Sequence, residues 1–185
     1  MHHGDSETSK KDNKPVSRAR NLSYALSVSR CLRGEQKLIL RVSPASYTAL
    51  RSHAEEMYPN ECCGVLLGHF GDAVNAVVAA VACVNARQDS PRNRYSIAPL
   101  DLVRIQREAR NQGLDIVGFY HSHPNHPAQW SSTDLAEAYW LGCSYLVTSV
   151  IKGKAAETRS FRLTEGAELG PDQKRFEEES IEAAP

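Results

Sequence analysis

Two histidines one residue apart, followed by a serine and a carboxylate, form the part of this chain best suited to chemistry: His121-Ser122-His123-Pro124, then Ser131 and Asp134. Residues two apart on a strand share a face, so His121 and His123 can both present an imidazole to one ion. Pro124 cannot continue pairing in a central strand, which puts the two histidines at a strand end, where a cleft can open. Asp134 falls at the start of an expected helix, with Ser131, Ser132 or Thr133 as cap candidates. The helix dipole favours a carboxylate there by roughly 0.3–1 kcal/mol. Two imidazoles and one carboxylate suit a tetrahedral Zn2+, one per chain, with a fourth position left for water.

Hydrolysis also needs a base. Glu61 follows Pro59-Asn60 and opens an apolar run, where a charge would otherwise be out of place. Zinc brings the pKa of water toward ~7, and a carboxylate beside it can take that proton and pass it to a leaving amine. Ser131 can donate a hydrogen bond to a developing oxyanion. Each of these residues also has a plainer reading. The histidines would be ordinary strand residues, Glu61 a solvated carboxylate at a strand edge, and Ser131 a helix cap and nothing more. His126 reads as a surface residue, and His53 and His69 lack ligand-like spacing. Cys62 and Cys63 sit in an apolar strand with no base beside them, which suits core packing better than a nucleophilic thiolate.

The elements that must carry these groups follow from the hydrophobic pattern. KLILRV, from Lys37, reads as a strand. A helix is expected over residues 43–58, with Ser43 as its cap and Pro44 in its first position. Cys62 to Phe70 reads as a buried strand, and Gly71-Asp72 turns into a second apolar run, Val74 to Val84. The polar stretch Asn85 to Arg94 reads as a mobile surface loop, and Arg92, Asn93, Arg94 and Tyr95 could line a groove that takes an extended tail by strand addition. Pro99 opens a helix closed by Gly113. A strand from Asp115 runs into the histidines, and a helix is expected over Thr133 to Leu141. Strands over Ser144 to Ile151 and Glu157 to Leu163 complete the pattern. The fold class is therefore α/β, a single layered domain with a mixed sheet flanked by helices.

Composition narrows the classes further. The 185 residues balance 22 basic against 22 acidic side chains, so no global field draws the chain to nucleic acid or to a membrane surface. No apolar run approaches the ~20 residues of a membrane span. Five cysteines without a CxxC pair suggest reduced thiols in a cytoplasm. Residues 1–36 read as a disordered basic extension, 37–165 as the domain, and 166–185 as an acidic tail with at most one helical stretch.

Glu61, then His-Ser-His-Pro-x6-Ser-x2-Asp, matches the JAMM motif. With YPNECCGVLLG, IVGFYHSHP and SSTDLAEAYWLGCSYLVTSV around it, the chain resembles the stand-alone prokaryotic branch of the MPN/JAB metallopeptidases. The similarity runs from about Leu38 to Leu163. The resemblance implies an MPN/JAB-like (cytidine-deaminase-like) domain that binds Zn2+ through His121, His123 and Asp134, with Glu61 as general acid/base and Ser131 as oxyanion stabiliser. It also implies a partner: a ubiquitin-like or sulfur-carrier β-grasp protein with a C-terminal Gly-Gly tail, cut at an amide or isopeptide bond. The short loops here favour such a small carrier, and homodimerisation is left open. Two rivals share the motif's neighbourhood. A non-catalytic MPN scaffold would lack one or more ligands. A DNA-repair-associated relative would carry HNHPSG text in place of HSHPNH.

Overall fold

The computed structural model describes residues 37–166 and 173–184, so the extension expected over residues 1–36 lies outside the described residues. The domain opens with β1 (Ile39–Val42) and a helix, α1 (Pro44–Met57). Ser43 caps α1 as its sequence suggests: its hydroxyl accepts the Ser46 N–H at 3.2 Å, and Pro44 takes the first turn, where an N–H would have no partner anyway. β2 (Cys63–His69) and β3 (Val74–Cys83) follow as an antiparallel pair. Then come α2 (Pro99–Asn111), β4 (Asp115–Pro124) and a short helix, α3 (Ser132–Glu137). Gly113, at φ +71°, turns the chain from α2 into β4, a backbone conformation costly for any residue with a Cβ. β5 (Ser144–Ile151), β6 (Lys154–Glu165) and β7 (Lys174–Ala183) complete the domain.

Side chains of β2 and β4 alternate between two apolar clusters, as the strand period requires. Leu66 and Tyr120 join Leu50 and Ala54 of α1 on one side. Val65, Leu67 and Phe119 join Ile105 and Ala109 of α2 on the other. Both strands are therefore covered on both faces, which is why their sequences run apolar without a polar alternation.

Three expectations need correction. The sheet is mixed and accompanied by helices as expected, but in place of a layer it closes into a barrel in the order β1-β3-β2-β4-β5-β6-β7. β1 makes the closure, because it pairs in parallel with β3 on one side and with β7 on the other. The acidic segment near the carboxyl end is neither a solvated tail nor a helix, since residues 174–183 form β7, antiparallel to β6. Its Glu179 is buried because Arg162 lies against it at 2.8 Å and Ser160 donates to it at 2.7 Å. The helix expected to reach Leu141 stops at Glu137. The chain there turns extended at Ala138, whose side chain is buried together with that of Trp140 in the α2-side cluster. Lys174 donates to the carbonyls of Ala136 and Ala138 and so satisfies acceptors at the end of α3. No helix among the described residues is long and apolar enough to cross a membrane.

Candidate active site

β4 carries both histidines on the side opposite Ser122, whose hydroxyl points back to accept the Cys62 N–H at 2.9 Å. Across the antiparallel β2–β4 pair, Cys63 lies opposite His121. Carried two residues further, that register brings Glu61 level with His123. α3 supplies the carboxylate from the other direction. Its capping box is complete: the Ser131 hydroxyl accepts the Asp134 N–H at 3.1 Å, and Asp134 Oδ2 accepts the Ser131 N–H at 2.6 Å. The cap thus does more than start a helix, because it also fixes the rotamer of the third donor.

The three donor groups converge. His121 Nε2 and His123 Nε2 are 3.1 Å apart, His121 Nε2 is 3.5 Å from Asp134 Oδ1, and His123 Nε2 is 3.6 Å from Asp134 Oδ2. A tetrahedral zinc with ligands at 2.0–2.1 Å has edges of roughly 3.3–3.5 Å, so these separations fit such an ion with little adjustment. The second ring nitrogen of His123 is 3.0 Å from the Pro127 carbonyl, which favours a proton on Nδ1 and a free lone pair on Nε2. His121 Nδ1 is buried with no partner among the described residues.

Electrostatics separate the roles. Burial pushes the Glu61 carboxyl up to about 7, with His123 pulling it down and Asp134 pushing it further up. Burial would also raise Asp134, but the imidazoles of His121 and His123 beside it and the hydrogen bond from the Ser131 N–H hold it well below the usual carboxylate range. Burial lowers His121, and Asp134 opposes this only in part. At His123 the same carboxylate outweighs burial and leaves the imidazole raised. Two carboxylates in one site therefore have different duties: Asp134 stays ionised, and Glu61 is poised to gain or lose a proton near neutral pH.

All five residues singled out from the sequence come together here. Glu61, His123 and Ser131 line one cavity of about 320 Å3. Asp134 lines a neighbouring cavity of about 510 Å3, walled by Tyr95, Phe119, Trp140 and Tyr145. Asn93 borders both. The Ser131 hydroxyl lies 2.7 Å from Asp134 Oδ2 and donates its one proton there, so helping an oxyanion requires it to rotate away. His126 also lines the smaller cavity. The stretch expected to be a mobile loop is pinned to the site instead: Pro91 accepts the Glu61 N–H at 2.7 Å, and Tyr95 stacks on His121 with centroids 4.6 Å apart. Of the groove residues expected there, Asn93, Arg94 and Tyr95 line the larger cavity, while Arg92 faces solvent. Asn85 went unnoticed in the sequence, yet its side chain holds this stretch together. Its one local bond, from the Arg87 N–H two residues on, is common to turns, and the partners that order the segment, at Glu61, Arg94 and Ser96, lie further off in the chain.

Comparison with known proteins agrees with this geometry. Residues 43–164 match the family model for prokaryotic homologs of the JAB domain. A desampylase of Haloferax volcanii is 38% identical over 105 residues, covering 55% of this chain and 73% of its own. A probable TtuB-protein conjugate cleaving protease of Thermus thermophilus is 31% identical over 79% of this chain and 90% of its own length. A CysO-cysteine peptidase of Mycobacterium tuberculosis is 29% identical over 64% and 79%, respectively. Among solved structures, a protein of Desulfitobacterium hafniense superposes with a TM-score of 0.65 at 26% identity, covering 80% of this chain and 93% of that one. With the family match spanning most of the described domain, the chain belongs to the prokaryotic JAB-domain family.

Proposed function

We propose that this protein is a JAMM-type zinc metallopeptidase that cuts an amide or isopeptide bond at the C-terminal tail of a ubiquitin-like or sulfur-carrier β-grasp protein. The observation that carries the reading is the convergence of His121, His123 and Asp134 at tetrahedral edge distances, with the Glu61 carboxyl beside them near neutrality. When bound, zinc would supply a Lewis acid that polarises the scissile carbonyl and makes water a nucleophile near neutral pH. His121 and His123 offer neutral nitrogens and Asp134 a permanent negative charge, a donor set suited to a divalent ion. Glu61 takes a proton from the attacking water and delivers it to the leaving nitrogen as the C–N bond breaks, so water adds across that bond with no net proton change. Ser131, once it turns from Asp134, can donate to the oxygen that becomes negative.

The relatives' names support the substrate class. They are a desampylase, a probable TtuB-protein conjugate cleaving protease and a CysO-cysteine peptidase, and two of these names are of proteins that cut a protein conjugate or a protein–amino acid bond. The free thiols of Cys62, Cys63, Cys83 and Cys143 suit a reducing cytoplasm.

The decisive experiment joins a Gly-Gly-ending β-grasp protein to a lysine ε-amine in one sample and to cysteine in another, incubates each with zinc-loaded protein, and weighs the products. Release of the intact carrier from either adduct is expected, and intact adducts throughout would remove the reading. Glu61→Gln should keep its zinc while turnover falls by ~10²–10⁴-fold. Asp134→Asn should retain less zinc than wild type by elemental analysis, and unchanged content would remove Asp134 from the ligand set.

A further inference from the structure

We infer that Tyr95 is a positioning residue for the metal site, its ring fixing the plane of His121, whose Nδ1 has no protein partner among the described residues; this rests on the zinc reading above. A metal-ligating imidazole almost always anchors its second nitrogen on a carboxylate, carbonyl or water, which sets both tautomer and ring angle. His123 follows the rule through the Pro127 carbonyl at 3.0 Å. At His121 no carboxylate or carbonyl takes that place, because its Nδ1 is buried and has no protein partner among the described residues. No protein hydrogen bond at Nδ1 therefore resists rotation of the ring out of its plane about the Cβ–Cγ bond. What stands against the ring is Tyr95, stacked at 4.6 Å with 24° between planes. Such a stack is the favoured offset arrangement of two flat rings.

Tyr95 is itself held in place. The Asn85 side chain donates to the carbonyl of Arg94 at 3.0 Å and accepts the N–H of Ser96 at 3.1 Å, which clamps the peptide groups on either side of Tyr95. The same amide donates to the Glu61 carbonyl at 3.3 Å and accepts the Arg87 N–H at 3.0 Å. One short segment therefore sets the ring that steadies a ligand and also touches the backbone of the base. Tyr95 lies 26 residues before His121 in the chain, too far for any local rule to pair them.

The test uses the full chain loaded with zinc or cobalt. Zinc release to a colorimetric chelator is timed, and the cobalt d–d absorption bands are recorded, for wild type, Tyr95→Leu, Tyr95→Met, Tyr95→Phe and Arg94→Ala. Removing the aromatic ring should speed zinc release by about 2- to 10-fold, the scale of one aromatic pair, and should shift the cobalt bands. Phe should restore both to near wild type, since the ring stays and only the hydroxyl leaves. Arg94→Ala, which alters the same segment but no ring, should match wild type. Two non-aromatic variants guard against one failing to fold, with circular dichroism as the check. Wild-type release and spectra in both would overturn the inference. So would a Phe variant as impaired as Leu, or an Arg94→Ala variant impaired to the same degree. A wild-type chain that takes up no zinc would instead overturn the proposed function, and this inference with it.

Discussion

Asp134 uses its two oxygens differently. Oδ2 takes the N–H and hydroxyl of Ser131 at 2.6 and 2.7 Å, while Oδ1 faces His121 at 3.5 Å. Glu61 is the counterpart, a buried carboxyl with few compensating bonds and hence a high pKa. The sign of its effect on stability follows from linkage. The unfolded carboxyl titrates near 4.5 and the folded one near 7, so between those values the folded state holds the extra proton. In metal-free protein, stability from this group is thus full below about 4.5 and declines as pH rises toward about 7. Urea midpoints measured across that window should fall more for wild type than for Glu61→Gln, which cannot titrate. Parallel curves for the two proteins would mean that Glu61 ionises normally.

Several elements could be read from the sequence because each rests on a local rule. α1 begins at a Ser-Pro cap, β2 and the stretch Ile116 to Tyr120 of β4 are apolar runs, and Ser131, the cap in the structure, is one of three cap candidates ahead of Asp134. The same rule puts Asp134 in the first turn of its helix, where the structure has it. What escaped notice depends on partners distant in the chain. β7 is acidic and looks solvated, and only Arg162 on β6 makes its Glu179 tolerable inside. The 85–96 segment looks like a loose loop because its order comes from one side-chain amide and not from periodicity. Asn85→Ala removes four hydrogen bonds at once. It should lower stability by about 1–3 kcal/mol and reduce turnover as well, since both Tyr95 and the Glu61 backbone lose their tie. Chemical denaturation and kcat measured on the same preparation check this, and a variant with unchanged kcat would mean the segment is only packing.

At the scale of the whole domain, the Arg162–Glu179 pair is the seam of the barrel. Both side chains are nearly fully buried, and Arg162 also donates to the Ile39 carbonyl at 3.0 Å, so one guanidinium touches β6, β7 and β1. Arg162→Met leaves Glu179 as an unpaired buried charge, a loss of roughly 3–5 kcal/mol. Replacing Glu179 by Leu in the same chain removes that charge and should recover most of the loss. Urea titration of the single and double variants separates the two cases. Equal destabilisation of both would mean that the pair matters for its shape and not for its charge.

The β1–β7 closure also bears on how the protein is made. Residues 39–42 find one of their two partners only in residues 180–183, a pairing that spans nearly the whole described domain and carries a large loop-closure cost. During synthesis β1 therefore waits with one edge open until residues 180–183 have left the ribosome. Over that interval the open edge of β1 is exposed to chaperones and to mispairing with neighbouring chains.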